Sequence, residues 1–360
     1  MYRLLLLAVA LPLIAPADLG RAAAEQYNID IVAIDLGGRQ TNLTENPAVD
    51  VAPAVARDGR IVFVSTRSGA GADLYVMNGE GRNVRRLTTS AVDHSGVAWD
   101  DALDISQASW SPRGETIAFD GLYYAGAPNC EQHCANWDAL VIGSDGDGLK
   151  QIALDARAPA WSPDGRSLAY ESDIDAYFEA GSVTVTRVDG SATARVRAIN
   201  RSSDIGPVWS PRGGEIAFQA SPTEASRSWI YVVRANGHRK RRLAVGHNPA
   251  WSPDGRRLAF IDDYKLMTIN RDGKGKRRLS RKGEFVVGAA WSPKGGTLGY
   301  VAGTRGGRGG GVPTSLRVET VSADGKRVHV LVRERSPSIV FGSPVWMPNG
   351  KRLLVAVEPH

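Results

Sequence analysis

Two cysteines, a few histidines and several acidic clusters are the parts of this 360-residue sequence that could do chemistry. Cys130 and Cys134 are its only cysteines, with His133 between them. Two thiols and an imidazole can begin a zinc site, but a tetrahedral structural site wants a fourth ligand. Cys-x-x-x-Cys is also not the Cys-x-x-Cys spacing of redox proteins. In an oxidising compartment the pair is expected to form a disulfide that closes a small loop. Asp93, His94, Asp100, Asp101 and Asp104 lie close together in sequence, and clustered carboxylates beside a histidine can hold a metal. Their spacing matches no calcium loop, however, and solvated loop charge is the expectation. Asp145-Gly146-Asp147-Gly148 has the start of a calcium loop without the later ligands or the distal Glu. No cofactor is therefore expected, and structural calcium would have no motif behind it. The nucleophile elbow Gly-x-Ser-x-Gly and the zinc motif His-Glu-x-x-His are both absent from the sequence.

The elements that must position such residues declare themselves by repetition. Pro249 to Phe260 reads Pro-Ala-Trp-Ser-Pro-Asp-Gly-Arg-Arg-Leu-Ala-Phe. An apolar strand ends at Trp251. Pro253 pre-sets a turn, Asp254 and Gly255 tolerate its tight positions, and Leu258 and Phe260 resume with period two. The frame recurs at Trp110, Trp161, Trp209, Trp291 and Trp346, and in degenerate form around Val55, where Arg57-Asp58-Gly59-Arg60 makes the turn. Six of the nine tryptophans thus occupy one position of one repeat, spaced 40 to 55 residues apart. That period suits a four-stranded β-propeller blade. A second pair of strands should follow each hairpin, around Asn78-Gly79, Asp145-Gly146, Asp189-Gly190, Asn236-Gly237, Asp272-Gly273 and Asp324-Gly325. The tryptophans are then core filling between blades, and the Ser-Pro-Asp-Gly segments are turns.

The fold class expected is all-β: a propeller of seven four-stranded blades, with six as the alternative if the copy at Pro53 is misread. Tyr27 to Thr44 looks like the outer half of a blade, and Pro344 to Val357 like an inner half. Together they should close the ring as one shared blade, leaving no unpaired edge.

The string Pro-x-Trp-Ser-Pro-Asp-Gly-x-x-Leu-Ala-Phe resembles the repeat of TolB-like propellers, the WD40-like family also found in prolyl-oligopeptidase-type enzymes. The resemblance runs from about Tyr27 to Val357 and implies the fold more than any activity. A complete peptidase of that type would need a separate hydrolase module with a Ser-His-Asp set, and TolB proper has a separate N-terminal α/β domain. Neither is expected within residues 25–360, which read as one propeller domain. A TolB-type propeller would have six blades, so seven would be a departure.

Residues 1–24 read as a signal peptide: Arg3, an apolar run from Leu4 to Ile14, and a small-residue cleavage site at Ala22-Ala23-Ala24. The run is shorter than the ~20 apolar residues of a membrane span. Export to a periplasm or beyond the cell is expected, with a bacterial origin suggested by composition. The formal net charge is +6, and basic residues gather on the outer strands at Arg85-Arg86, Arg239 to Arg242, Lys274 to Arg278 and Lys326-Arg327. Nucleic acid suits an exported protein poorly.

In a propeller, partners meet the mouth where inner strands begin. The residues before each Pro-x-Trp segment are therefore the candidate ligand-binding set: Asp50, Asp104, Asp155, Asp204 and His247, with Arg201 nearby. They could bind a basic peptide, a cation or a sugar, or could cap strand starts. Two functions are carried forward. The first is a monomeric, non-enzymatic propeller that binds an envelope or extracellular protein or peptide. The second is a carbohydrate-active lyase or glycosidase using mouth carboxylates.

Overall fold

The computed structural model describes residues 28–69, 71–89, 104–124, 135–172, 181–191, 193–196, 202–222, 227–304, 315–334 and 340–358. Among them the chain forms seven four-stranded antiparallel sheets and no helix.

The first two strands, β1 (Asp30–Asp35) and β2 (Gln40–Asn42), wait for the end of the chain. Blade one is β3 (Asp50–Val55), β4 (Ile61–Ser65), β5 (Asp73–Met77) and β6 (Arg85–Arg86). Blade two is β7 (Asp104–Trp110), β8 (Thr116–Tyr124), β9 (Ala135–Gly143) and β10 (Lys150–Ala153). Blade three is β11 (Ala156–Trp161), β12 (Ser167–Ser172), β13 (Ser182–Arg187) and β14 (Thr193–Val196). Blade four is β15 (Ser202–Trp209), β16 (Glu215–Pro222), β17 (Trp229–Arg234) and β18 (Arg241–Val245). Blade five is β19 (His247–Trp251), β20 (Arg257–Asp262), β21 (Lys265–Asn270) and β22 (Arg277–Arg278). Blade six is β23 (Glu284–Trp291), β24 (Thr297–Thr304), β25 (Leu316–Ser322) and β26 (Val328–Glu334). In blade seven, β27 (Val340–Trp346) and β28 (Arg352–Val357) join β1 and β2 in the order β2-β1-β28-β27. The pairing of Asp30 with Val357 and of Asp35 with Arg352 is the expected closure. The seven-blade reading holds, and the degenerate copy at Pro53 is a true blade.

The Ser-Pro-Asp-Gly segments are turns held by their own side chains. In blade five Gly255 N–H donates to Ser252 O (2.7 Å), and Asp254 Oδ1 accepts from Ser252 Oγ (2.6 Å) and Arg256 N–H (3.1 Å). Blade three repeats this with Ser162, Asp164, Gly165 and Arg166. Gly255 sits at φ 61°, where a Cβ would come within 2.9 Å of Arg212 Cγ of the preceding blade. Glycine is therefore needed twice there, for conformation and for packing.

The tryptophans do more than fill space. Each indole N–H donates to a carbonyl on the inner strand of the preceding blade: Trp110 to Ala54 (3.0 Å), Trp209 to Ala160 (3.1 Å), Trp251 to Val208 (3.2 Å), Trp291 to Ala250 (3.2 Å) and Trp346 to Ala290 (3.1 Å). These are staples between neighbouring sheets, each worth about 1 kcal/mol net. Trp161 is the exception: its Nε1 is buried without a hydrogen-bond partner among the described residues. Val55 has no indole to offer blade seven. At that seam Arg352 instead reaches Glu80 (2.7 Å) and Gly79 O (3.0 Å) of blade one.

Two sequence readings need adjusting. The sequence reads Asp120 to Trp137 as an insertion between the inner and outer strands of blade two, with the cysteines at its tip. In the structure β8 and β9 continue their ladder through it to Tyr124 opposite Ala135, so only residues 125–134 lie between strands. The ladder pairs Leu122 with Trp137, Tyr123 with Asn136 and Tyr124 with Ala135. The basic outer residues also do not all simply face solvent. Arg86 turns inward to the buried Asp73 (2.6 Å), whose other oxygen accepts from Thr88 Oγ1 (2.9 Å). Cys130, His133, Cys134 and residues 93–103 lie outside the described residues, as does the segment 1–24.

Candidate functional site at the mouth of the ring

One end of the ring carries the five-residue turns between each blade's first two strands. The opposite end, the mouth, receives the starts of the inner strands and the connections between second and third strands. Those connections differ in length. Blade five has only the two residues Asp263 and Tyr264 between β20 and β21, whereas blades two and six have 125–134 and 305–315.

Of the six residues expected at the mouth, Asp50 begins β3 and is fully buried. Its Oδ2 accepts from Asn46 Nδ2 (2.6 Å) and Arg67 Nη2 (2.9 Å), while Oδ1 has no partner among the described residues. Arg67 also lies over Phe63 and Tyr75, 5.1 and 5.0 Å from the ring centroids. This is a strand-start anchor rather than an open ligand. Asp155 precedes β11 at φ 48°, exposed, with its N–H directed to Asp138 Oδ1 (3.3 Å). Asp104 and Asp204 lie in β7 and β15 as expected, but their side chains and the whole of Arg201 lie outside the described residues. His247 begins β19, half-buried. Burial holds its imidazole below the ordinary histidine value, against the hydrogen bond with Asn248 and the charge of Asp262, which act the other way.

The sequence reading missed a second polar arc. In blades two, three and four the residue after the second-strand aromatic is Asp120, Glu171 or Gln219, where the other blades place Val64, Ile261, Val301 or Ala356. Every inner strand carries a bulge. At five of these the chain turns left-handed, at Ala52 (φ 50°), at Gly342 (φ 76°) and, in the blades that follow the three polar residues, at Ala158 (φ 52°), Gly206 (φ 63°) and Asn248 (φ 52°). A bulge leaves an N–H outside the ladder, and the polar residues of the preceding blade accept it. Ala158 N–H donates to Asp120 Oδ2 (2.9 Å), Gly206 N–H to Glu171 Oε1 (2.8 Å) and Asn248 N–H to Gln219 Oε1 (3.4 Å). Asp120 Oδ1 also accepts Ser106 N–H (3.1 Å) and Gln107 N–H (3.0 Å) in its own blade. Burial pushes the Glu171 carboxyl up to about 7, outweighing the nearby Arg157 charge and the Gly206 N–H, with Asp120 adding to the rise. Arg157 is itself buried and lies 4.5 Å over the Trp137 ring. The alternation of bulge and acceptor could have been found only by comparing the seven copies column by column.

Blades five and six supply the aromatic part of the mouth. Asp263 (φ 48°) and Tyr264 (φ 58°) form a two-residue turn with both residues left-handed. Asn-Gly is the usual choice for such a turn, and a bulky ring there is costly. The turn is secured by Val286 N–H, which donates to Tyr264 O (2.8 Å). Tyr264 stacks on Phe285 of β23 with centroids 4.0 Å apart and planes at 20°. Both rings are part-exposed. Next to them Glu284 and Glu319 alternate with Arg317 and Arg281, at 3.2 Å (Arg317–Glu284), 2.9 Å (Arg317–Glu319) and 3.5 Å (Arg281–Glu319). Tyr300 OH donates to Glu319, and burial first, then that bond, raises the phenol well above its ordinary value.

Among the described residues no group of three or more His, Cys, Asp or Glu side chains converges to hold a metal, and no helix is long and apolar enough to cross a membrane. Asp145 Oδ1 accepts Asp147 N–H (3.1 Å), so the Asp145-to-Gly148 segment is the outer turn of blade two.

Comparison with known proteins agrees with this geometry. Residues 131–308 match the family model described as the TolB beta propeller domain. A solved TolB-assigned protein from Agrobacterium tumefaciens is similar over 93% of this chain and 100% of its own, at 17% identity and a TM-score of 0.54. An oligogalacturonate lyase solved in complex with manganese is similar over 93% of this chain and 96% of its own, at 12% identity and a TM-score of 0.62. A puromycin-hydrolyzing peptidase of Mycobacterium tuberculosis is similar at 19% identity and a TM-score of 0.63, and this chain spans 60% of its length. At these identities the solved structures speak for the fold alone. With the family match, the repeats and the seven closed blades together, the chain is a TolB-like β-propeller.

Proposed function

We propose that this propeller is exported and acts, without catalysis of its own, by binding a protein or peptide of the cell envelope or its surroundings at the mouth of the ring. The observation that carries the reading is the Tyr264–Phe285 stack. A part-exposed aromatic pair is held at 4.0 Å by a turn that accepts an unfavourable backbone to present it. Strain of that kind persists where the surroundings over-determine it, and it clusters at functional sites. Rigid aromatic anchors are also the residues that dominate protein interfaces. The mouth carboxylates Asp50, Asp120 and Glu171 are engaged with Arg67 or backbone N–H groups, which supports a scaffold role for them over acid–base work. Export rests on residues 1–24, from Arg3 to the Ala22-Ala23-Ala24 site.

The test is capture of envelope and culture-supernatant proteins on the mature chain, followed by titration of the captured partner against variants. Tyr264→Gly suits the turn better than tyrosine and keeps the fold. It should weaken a mouth-bound partner by about tenfold or more, as loss of an interface aromatic typically does. Asp204→Ala and Asp104→Ala probe the neighbouring blades. Unchanged affinity in all three would remove the mouth from consideration. Depolymerisation of an acidic glycan, lost on Asp204→Asn or Asp104→Asn, would replace the binding reading by the enzymatic one.

A further inference from the structure

The end of the ring opposite the mouth is made of turns, and their charge is uneven. In blade four it carries Arg212, Arg234, Arg239, Lys240 and Arg241. Blade five adds Arg256, Arg257, Arg271, Lys274, Lys276 and Arg277. Blade six adds Lys294, Lys326 and Arg327. Against these fourteen basic residues the same turns and strand ends hold four acids, Glu215, Asp254, Asp272 and Asp324, a net charge of +10. The equivalent segments of the other four blades together hold eleven basic and eight acidic residues, a net of +3.

The four acids are engaged locally and leave the net excess of the sector in place. Asp254, Asp272 and Asp324 fold back onto their own turns, each accepting the N–H two residues on, from Arg256, Lys274 and Lys326. Glu215 lies between Arg271 (2.5 Å) and Arg241 (3.5 Å), and Lys276 pairs with Asp262 (2.8 Å) outside these turns. Arg212, Arg239, Lys240, Arg256, Lys274 and Lys326 are all exposed.

The inner turns of the face are also uniform. The turn between the first two strands has the same form in every blade, closed by one N–H to C=O bond, from Gly59 to Ala56 in blade one through to Gly350 to Met347 in blade seven. The exposed large apolar side chains of the described residues, Leu36, Val84 and Leu154, lie outside blades four to six, so nothing there is poised to insert. A broad cationic face built of uniform turns, spread over three blades and without an apolar wedge, suits an extended anionic surface better than a single chain lying in a groove.

From this juxtaposition we propose that the turn face of blades four to six is an electrostatic docking surface for an anionic lipid bilayer. The propeller lies flat on headgroups through this sector, with its mouth directed away from the membrane. Attachment is by charge alone, so it is reversible and weakens with salt.

The experiment is sedimentation of the protein with vesicles of phosphatidylcholine, or of phosphatidylcholine mixed with phosphatidylglycerol, across a range of salt. Binding should require phosphatidylglycerol and fall as salt rises. Each neutralised cation near the surface should cost up to about fivefold in partitioning, so Arg239→Gln, Lys240→Gln, Lys274→Gln and Lys326→Gln combined should lose at least about tenfold. A second variant, Arg57→Gln, Arg82→Gln, Arg113→Gln and Arg166→Gln, changes net charge equally on the other blades and should keep most of the binding. These positions are exposed, and a thermal melt of each variant confirms the fold. The proposal is overturned if low-salt phosphatidylglycerol vesicles bind nothing, or if both variants weaken binding equally. It is also overturned if a soluble acidic polysaccharide binds the sector while vesicles do not.

Discussion

Glu171→Gln should convert a pH-dependent stability into a flat one. Glu171 is buried in β12, accepts the Gly206 N–H at 2.8 Å, and has its carboxyl raised from 4.5 to about 7, chiefly by burial. Below about pH 4.5 the group is protonated in folded and unfolded chains alike, and contributes no difference. Between that pH and about 7 the unfolded chain has lost its proton while the folded one keeps it, so stability falls as pH rises. Above about pH 7 both are ionised and the full cost of the buried charge is present. At 1.36 kcal/mol per pH unit, a window of roughly 2.5 units corresponds to about 3 kcal/mol. Glutamine keeps the carbonyl oxygen for Gly206 and cannot ionise. Urea unfolding followed by tryptophan fluorescence at about pH 5 and about pH 8 reads the effect directly. The native protein should gain up to about 3 kcal/mol relative to the variant on moving to the acidic condition. A stability difference between the two proteins that is the same at both pH values would refute the assignment of a buried, high-pKa acid.

The staples and the turns give two further expectations. Trp251→Phe removes the bond to Val208 O and leaves that carbonyl without its indole, whereas Trp161→Phe removes an indole with no hydrogen-bond partner among the described residues. The first should cost about 1–3 kcal/mol more than the second, measured by chemical denaturation, and equal costs would deny the staples any energetic weight. Gly81 has φ 76° and a Cβ there would come 2.5 Å from Leu43 O. Gly81→Ala should therefore lower the melting temperature by several degrees through both strain and collision, whereas Gly190→Ala, left-handed but in open space, should cost only about 1 kcal/mol.

The blades were legible in the sequence because turn chemistry is local. Ser252, Asp254 and Gly255 bond one another within four residues, so their spelling is repeated wherever the turn is repeated. The closing blade was legible for a related reason: two half-blades of the right pattern had only each other to pair with. The polar arc was not legible, because Asp120, Glu171 and Gln219 serve N–H groups 38, 35 and 29 residues away on the next blade. Nothing in the local pattern marks them, and in four blades the same position is apolar. Asp50 was found by its place before the Pro-x-Trp frame, but its burial depends on Arg67, seventeen residues on, folding back to it. The Tyr264 platform was hidden because an aromatic in a two-residue left-handed turn contradicts the propensities by which turns are recognised.

The shared blade also sets the timing of folding. β1 is among the first segments of the propeller to be made, yet its neighbour β28 is made more than 300 residues later. Each doubling of a closed loop adds only ~0.6 kcal/mol, so joining β1 to β28 costs roughly 2 kcal/mol more than joining strands one blade apart. Thermodynamically that is minor; kinetically it puts the most distant contact last. Until β28 arrives, the edge of β1 has no partner within its own chain, and six blades can assemble in sequence as an open arc. A chain still threading through a narrow pore would therefore be held short of its ring, and would lock only after its last strand had passed.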